Sequence, residues 1–349
     1  MNKIFAKNLF CLILISLCFN PKAQDHNIKK RINDYLESKV EQGLFSGNVL
    51  VSVKEEIIFS KSYAYANLEW QVKNNSKTVF RIGSLTKQFT AAAILLLEQR
   101  GLLSVDDFLS KYLPDFPNGD KISIHNLLTH TAGIVSVTNP GILKSNKEIL
   151  SIDQVIDTFK KLPFEFEPGT TFKYSNSGYV LLAKVIEISS GLSYKDFMKA
   201  NIFLPLGMTS TKCDDNMLIM PFRATGYSRK GRNLQNAEYI YMGIPVGGGS
   251  IVSTIEDLYT WDRALRTNRL LLEKTKKRMF TPFLNSYAYG WGIREISGEI
   301  ATTHTGGING FSSNIMRFPE SNVCLIILSN YEFASSGQLN KDLSEIIFD

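Results

Sequence analysis

The chain has 349 residues, of which 44% are hydrophobic and 21% are charged. This length and composition suit one large domain or two closely packed ones, and they exclude a mainly disordered chain. The formal net charge of +6 is mild and comes without a basic run that has interleaved aromatic residues, so we expect no nucleic-acid partner.

The first residues have the layout of a secretory signal peptide. Lys3 and Lys7 form a short basic start, residues 9–19 are apolar, and residues 20–25 are polar. Export machinery removes such a leader. We therefore predict a signal peptide over residues 1–23 and an exported protein, periplasmic or extracellular, with no transmembrane segment after the leader is removed.

The cysteines bear on two questions, lipid anchoring and disulfide bonds. Cys18 would allow a lipoprotein anchor, but Leu17 stands before it where a small residue is expected. After removal of the leader only Cys213 and Cys324 would remain, and two such distant cysteines form no disulfide framework.

The first third of the body combines strands with one helix. Residues 47–60 predict two strands joined by a turn at Lys54–Glu56. The pattern then changes, since apolar residues recur at helical spacing from Thr86 to Arg100, and Gly101 supplies a left-handed cap.

The middle is mainly helical, whereas the last third returns to strands. The middle helices are expected at residues 123–131, 151–161, 178–190 and 193–203. A capping box at residues 253–256 predicts a helix through about Arg266, and residues 336–348 a terminal helix. Strands are expected at residues 289–296, 300–304, 312–318 and 323–329.

This order of elements predicts an α+β fold. The first and last strands would pair in one antiparallel β-sheet flanked by helices, and the middle would form an inserted all-helical lobe. We expect a sheet domain from residues 24–101 and 228–349, a helical lobe over residues 102–227, and a substrate cleft between the two.

Ser84 and Lys87 form the single S-x-x-K sequence of the chain. Residues three apart share a helix face, so the amine can lie beside the hydroxyl. A serine at a helix start also meets unpaired N–H groups that favour a developing anion, and a buried lysine could accept its proton. Taken alone, the pair fits a helix cap beside a solvated lysine better, because serine caps are so common.

Two further motifs follow in the chain. Tyr174-Ser175-Asn176 offers a phenol for general acid–base work and an amide for a substrate carbonyl. His304-Thr305-Gly306-Gly307 offers an imidazole and a backbone that a ligand can approach closely. Alone, the first fits a packed aromatic residue and the second a glycine-rich turn.

The order and separation of the three motifs resemble a known family. S-x-x-K is followed after about 90 residues by Y-x-N and after about 130 more by H-T-G, as in penicillin-recognising serine enzymes. Over residues 33–347 the chain resembles the serine β-lactamase-related family, which holds class C β-lactamases, D-alanyl-D-alanine peptidases and esterases. Supporting stretches lie at residues 80–83, 127–133, 167–169, 247–250 and 289–292.

The resemblance implies a β-lactamase/transpeptidase-like fold and a role for each motif. Ser84 would be the acylated nucleophile, with Lys87 and Tyr174 sharing the general base and acid duties. Substrate contacts would come from Asn176, His304 and Thr305 beside Gly306, and the N–H groups of Ser84 and Gly307 would form an oxyanion hole.

One departure from the family affects the substrate. Class C β-lactamases have lysine at the position of His304, and histidine there is commoner among the peptidases and esterases. We therefore expect an exported serine hydrolase resembling a D-Ala peptidase or an esterase. A true class C-like β-lactamase, which a charged His304 would favour, and a non-catalytic module that binds cell-wall peptides remain the alternatives.

No other chemistry is indicated. The four histidines, His26, His125, His130 and His304, lack the spacing of a metal site, and His130 is interpreted as a structural hydrogen-bonding residue. We expect no cofactor, a small-molecule or cell-wall peptide substrate, and a monomer.

Overall fold

The computed structural model describes residues 21–145 and 147–349. The predicted signal peptide lies outside the described residues except for its last three positions, where a long helix begins at Pro21. Cys18 also lies outside them. Among the described residues, no helix is long and apolar enough to cross a membrane.

The strands of the described chain are short, apart from those of the central sheet. They are β1 (Gly47–Val53), β2 (Glu56–Tyr63), β3 (Tyr65–Asn67), β4 (Val72–Lys73), β5 (Phe80–Arg81), β6 (Lys212–Cys213), β7 (Tyr227–Lys230), β8 (Asn233–Asn236), β9 (Ile251–Ser253), β10 (Gly292–Ile296), β11 (Glu299–Ile308), β12 (Phe311–Phe318) and β13 (Val323–Ser329).

The α-helices lie at both ends of the described chain and throughout its middle. They are α1 (Pro21–Glu41), α2 (Thr86–Gln99), α3 (Ile124–Leu128), α4 (Ile152–Asp157), α5 (Asn176–Ser190), α6 (Tyr194–Met198), α7 (Leu204–Leu206), α8 (Ile255–Leu265), α9 (Glu273–Phe280) and α10 (Ser336–Phe348). A π-helical turn at Lys199–Phe203 joins α6 to α7.

The central sheet has six antiparallel strands in the order β10-β11-β12-β13-β1-β2. Lys54 and Glu55 take left-handed backbone angles, φ 49° and 72°, which close the predicted hairpin between β1 and β2. On its other edge β1 pairs with β13, Gly47 opposite Ser329. This pairing confirms the prediction that the first and last strands meet in one sheet.

Helices cover both faces of this sheet. On one face α10 packs against β12 and β13, and α1 packs against α10. On the other face α8 packs against β1 and β13, and the almost completely buried α2 packs against α5. The helix α2 therefore lies in the main core, which fixes the start of that helix in a rigid environment.

Several predicted boundaries are wrong: the helices predicted at residues 123–131 and 151–161 end early, at Leu128 and Asp157, and the strand predicted from residue 289 begins at Gly292. Two further differences have a clear physical reason. The capping residue of α8 is Thr254, which accepts a hydrogen bond from the Asp257 N–H, because Ser253 is the last residue of β9 and pairs with Phe80. The strand β11 does not end at His304 but continues to Ile308. It does so because β12 pairs with it as far as Ile308 opposite Phe311, which holds both glycines in the sheet.

Candidate active site

Ser84 lies in a single 3-10 turn, Gly83–Leu85, directly before α2. Gly83 has a φ of 49°, and a Cβ built there would lie 2.9 Å from the backbone nitrogen and oxygen of Gly307. Only glycine allows this left-handed angle and this close approach together. The turn therefore lies against β11, and the half-buried Ser84 faces the space between them.

Lys87 is completely buried one helical turn after Ser84. Its Nζ lies 3.1 Å from Ser84 Oγ, 2.8 Å from Asn176 Oδ1 and 2.8 Å from the carbonyl oxygen of Gly248. Burial lowers the pKa of Lys87 to about 7. The surface-lysine interpretation of the motif is thus excluded.

The contacts of Lys87 define what its neutral form can do. A neutral amine has two N–H donors and one lone pair. The Asn176 and Gly248 oxygens only accept, so they take both donors. The lone pair is left for the Ser84 hydroxyl, so this arrangement can accept the proton of the serine.

Tyr174 lies beside both Ser84 and Lys87. Its ring centroid is 4.8 Å from Lys87 Nζ. Although 37% of the residue is exposed, the protein packed around its hydroxyl raises the pKa of Tyr174, and a hydrogen bond with Ser84 opposes that rise. The phenol therefore holds its proton at neutral pH and can pass a proton between Ser84 and a bound group.

Asn176 is the first residue of α5, and both ends of its amide are engaged. The oxygen accepts from Lys87, and Nδ2 donates to Thr138 Oγ1 at 2.9 Å. Its backbone N–H donates to Ser136 Oγ at 3.0 Å. One N–H of the amide remains for another partner, so Asn176 positions Lys87 and retains a donor for a ligand.

His304 does not carry the positive charge that the sequence analysis left possible. It is 9% exposed, and burial together with the nearby Lys87 lowers the pKa of His304 to about 3. Nδ1 lies 2.8 Å from the Thr305 carbonyl, so Nδ1 carries the proton and Nε2 accepts from the Tyr287 hydroxyl at 2.9 Å. The imidazole is neutral, with both nitrogens engaged.

The residues after His304 alternate between the two faces of β11. The exposed Thr305 accepts a hydrogen bond at Oγ1 from Asn314, which also contacts Asn340 of α10. A Cβ at Gly306 would lie 2.0 Å from the Ile82 carbonyl oxygen, whereas a Cβ at Gly307 would meet nothing within 4 Å. The backbone of Gly307 therefore borders open space beside Ser84, as an oxyanion site requires.

The structure adds neighbours that the sequence analysis missed or left without a role in the site. Tyr287 belongs to no recognisable motif, and only the fold brings it to His304. The buried His130 stacks on Tyr174 with centroids 4.1 Å apart, and its Nδ1 accepts from the Ser175 N–H. The predicted structural hydrogen bond of His130 is confirmed. The sequence does mark Gly248 as a candidate site residue, because it belongs to the three consecutive glycines at residues 247–249.

A cavity of about 390 Å³ opens beside Ser84. Loops at residues 137–143 and 240–245 form two walls, α5 contributes the third, and the end of β11 with Asn309 the fourth. No lining residue is charged. Elsewhere in the described chain, no group of three or more His, Cys, Asp or Glu residues is arranged to hold a metal ion.

Comparisons with known proteins agree on one family. A family model described as beta-lactamase matches residues 28–345. Penicillin-binding protein 4* of Bacillus subtilis (strain 168) is 32% identical over 330 residues, which span 88% of this chain and 72% of that protein.

Solved structures carry the same fold. The penicillin binding protein from Bacillus halodurans is 27% identical, with a TM-score of 0.79 over 93% of this chain and 98% of its own. The D-stereospecific amidohydrolase from Streptomyces sp. is 26% identical, with a TM-score of 0.79 over 89% of this chain and 96% of its own. These neighbours confirm the predicted fold class.

Proposed function

This chain belongs to the beta-lactamase family, and on that premise we propose that it is a serine hydrolase that works through an acyl-enzyme on Ser84. The observation that carries the proposal is the 3.1 Å contact between the buried Lys87 Nζ and Ser84 Oγ. Near pH 7 a large fraction of Lys87 is neutral, so the base is available without a histidine or a metal-bound hydroxide.

The acylation step uses the groups in contact with Ser84. Lys87 accepts the hydroxyl proton as Ser84 Oγ attacks the substrate carbonyl carbon, and the N–H groups of Ser84 and Gly307 bind the resulting oxyanion. Collapse of this intermediate breaks the bond to the leaving amine or alcohol. The leaving group takes a proton from Tyr174, which recovers one from Lys87.

Deacylation reverses the proton path. A water molecule attacks the acyl carbon and loses a proton toward Tyr174 and Lys87, and the bond to Ser84 Oγ breaks as the oxygen takes that proton back. The products are a carboxylic acid and the free serine. The same three side chains thus serve both half-reactions.

The substrate class we propose is a peptide, amide or ester, in the manner of a D-Ala peptidase or an esterase. The neutral His304 supports this choice, because it offers no positive charge of the kind that lysine supplies in class C β-lactamases. The amidohydrolase and penicillin-binding names of the related proteins point the same way.

Export and a monomeric state complete the proposal. Export is supported by the basic and apolar layout of residues 1–19. Fractionation of native cells should recover the protein outside the cytoplasm with an N-terminus near Gln24, whereas full-length chain confined to the cytoplasm would contradict export.

Light scattering of the purified protein should give the monomer mass.

Covalent labelling tests the proposed chemistry. Wild type and Ser84→Ala are each incubated with a fluorophosphonate, a fluorescent penicillin, a D-Ala-D-Ala peptide and a short-chain ester, and intact mass is measured. We expect an adduct on Ser84 with the fluorophosphonate and the ester, and none in the variant. Equal labelling of the two proteins would contradict the proposal. Tight peptide binding without any adduct would favour a binding module instead.

A further inference from the structure

We propose that the cavity beside Ser84, which takes the acyl side of the substrate, selects uncharged, apolar acyl groups through the side chains of its walls. This inference rests on the proposed function, because it names which part of the substrate lies in the cavity and what chemistry that part has. It is carried by the position of the cavity relative to Tyr174 and by the side chains of its walls.

The position of the cavity assigns it to the acyl side. The leaving group must depart where a proton can reach it, and in the proposed mechanism that proton comes from Tyr174. The cavity is lined by Ser84, Asn176 and Gly307, but by none of Tyr174, His304 and Thr305. With the carbonyl oxygen at the Gly307 backbone, the acyl chain therefore extends into the cavity and the leaving group points away from it.

The walls of the cavity are mostly apolar. Most of the side chains that line it are aliphatic or proline: Val137, Pro140, Leu143, Val180, Ile240, Ile244, Pro245 and Ile308. A volume of about 390 Å³ lies at the lower end of the range of small-molecule sites. The site therefore suits a short aliphatic chain or a single aromatic ring.

Two of the polar side chains in the walls are engaged by the protein, and the amides of Asn139 and Asn176, which also line the cavity, carry no charge. Thr138 Oγ1 contacts Asn176 Nδ2 and Ser136 Oγ, and Asn309 Nδ2 donates to the Glu238 carbonyl. A carboxylate carried into this cavity would lose water without gaining a cation, and this loss disfavours an anionic acyl group. A neutral apolar chain gains about fourfold in transition-state binding for each methylene group fully buried.

The test is a series of 4-nitrophenyl esters that share one leaving group. Acetate, butanoate, pentanoate, hexanoate and the half-ester monoglutarate are compared by kcat/KM and by intact mass of the acyl-enzyme. From acetate to hexanoate we expect a rise of at least about tenfold, allowing for partial burial of the chain. We expect pentanoate to exceed monoglutarate, which has the same number of carbons, by a similar factor.

A charge placed in the wall supplies the second arm. Ile240 lines the cavity and is half-buried, so Ile240→Lys can fold and bring an ammonium to the acyl chain. We expect Ile240→Lys to lower the ratio of kcat/KM for pentanoate to kcat/KM for monoglutarate by about threefold, which is the effect of one partly exposed ion pair. Tyr239→Lys adds the same charge at an exposed neighbour that does not line the cavity, and it should leave the preference unchanged.

The outcomes separate this inference from the proposed function. Absence of an acyl-enzyme with every ester would overturn both. An acyl-enzyme that forms equally fast with acetate and hexanoate, or faster with monoglutarate than with pentanoate, would overturn the apolar acyl site and leave the serine chemistry standing. An equal fall of the pentanoate-to-monoglutarate kcat/KM ratio in Ile240→Lys and Tyr239→Lys would also overturn the apolar acyl site.

Discussion

At the scale of single residues, the buried amine of Lys87 is surrounded by groups that do not titrate near neutrality. Burial and the charge of Lys87 hold the pKa values of His130 and His304 well below the ordinary range. Burial also raises the pKa values of Tyr174 and Tyr179. Within this described cluster, Lys87 with a pKa of about 7 is therefore the group that changes charge between pH 6 and 9.

The lowered pKa of Lys87 predicts how its replacement alters stability with pH. Between pH 7 and 9 the unfolded lysine keeps its proton while the folded one loses it, so stability of the wild type rises with pH. Relative to Lys87→Met, which has no such proton, the wild type should gain roughly 2 kcal/mol over this interval. Urea unfolding of both proteins at pH 6, 7 and 9 measures the difference.

A smaller change is expected between pH 6 and 7, because the folded lysine is mostly protonated at pH 6 and loses only about half of its proton by pH 7. A difference between the two proteins that stays constant from pH 7 to 9 would show that Lys87 has an ordinary pKa. Lys184→Met is a control, because that lysine is not in the site and pairs with Asp153 at the surface.

The sequence identified the reactive residues through spacing but not their neighbours. Ser84 and Lys87 follow from one short motif, because residues three apart must share a helix face. The burial of Lys87 could not be predicted, since it depends on α5 and on residues 247–249 far along the chain. Tyr287 was missed for the same reason, as a lone tyrosine has no local signal.

At the scale of elements, the contact between the Ser84 turn and β11 holds the reactive groups in register. This contact depends on Gly83, whose φ is 49° and whose Cβ would lie 2.9 Å from the Gly307 backbone. A side chain there would push β11 away from the turn. A displacement of about 1 Å at a reaction centre can cost on the order of 100-fold in rate.

The substitution Gly83→Ala should therefore slow acylation by about 100-fold while the protein remains folded. Gly101→Ala is the matched control, because Gly101 has a φ of 72° but open space around its Cβ position. The control should lose about 1 kcal/mol of stability through backbone strain alone and retain its acylation rate. Single-turnover acylation and thermal unfolding of both variants test this prediction. Equal acylation rates in Gly83→Ala and Gly101→Ala would contradict the role of the contact between the Ser84 turn and β11.

Capping and spacing rules, which need only neighbouring residues, predicted most of the helices and strands. They failed where pairing with a distant strand determines the end of an element. The predicted helix starts at Ser123 and Ser151 are confirmed, and each residue forms a capping box, a signal that needs only four residues in sequence. The sequence predicts that the strand β11 ends at His304, because two consecutive glycines usually signal a turn. Pairing with β12, which sequence alone does not reveal, overrides that preference.

At the scale of the whole molecule, the cleft lies between segments that are far apart in sequence. We propose the division into a sheet domain, residues 24–101 and 228–349, and a helical lobe, residues 102–227. The small sheet β5-β9-β6 crosses this division, since β6 belongs to the proposed lobe and β9 to the sheet domain. We therefore expect the two parts to unfold together.

The two buried cysteines can report this coupling. Cys213 lies in β6 and Cys324 in β13, and both are free thiols. If the molecule opens as one unit, both should react with a thiol reagent with the same opening free energy, and both reactions should follow the denaturant dependence of global unfolding. Peptide mapping of labelled protein measures each site, and faster labelling of Cys213 alone would show that the lobe opens independently.

The central claim is that a neutral Lys87 activates Ser84 for acylation, and its most direct test is the pH dependence of single-turnover acylation. Wild type is mixed with a 4-nitrophenyl ester between pH 5 and 9, and the Ser84 adduct is quantified by intact mass, with Ser84→Ala as the blank. The acylation rate should rise through a midpoint near pH 7, where Lys87 loses its proton, and then level off. A rate that does not change from pH 5 to 9, or an adduct that persists in Ser84→Ala, would contradict the account.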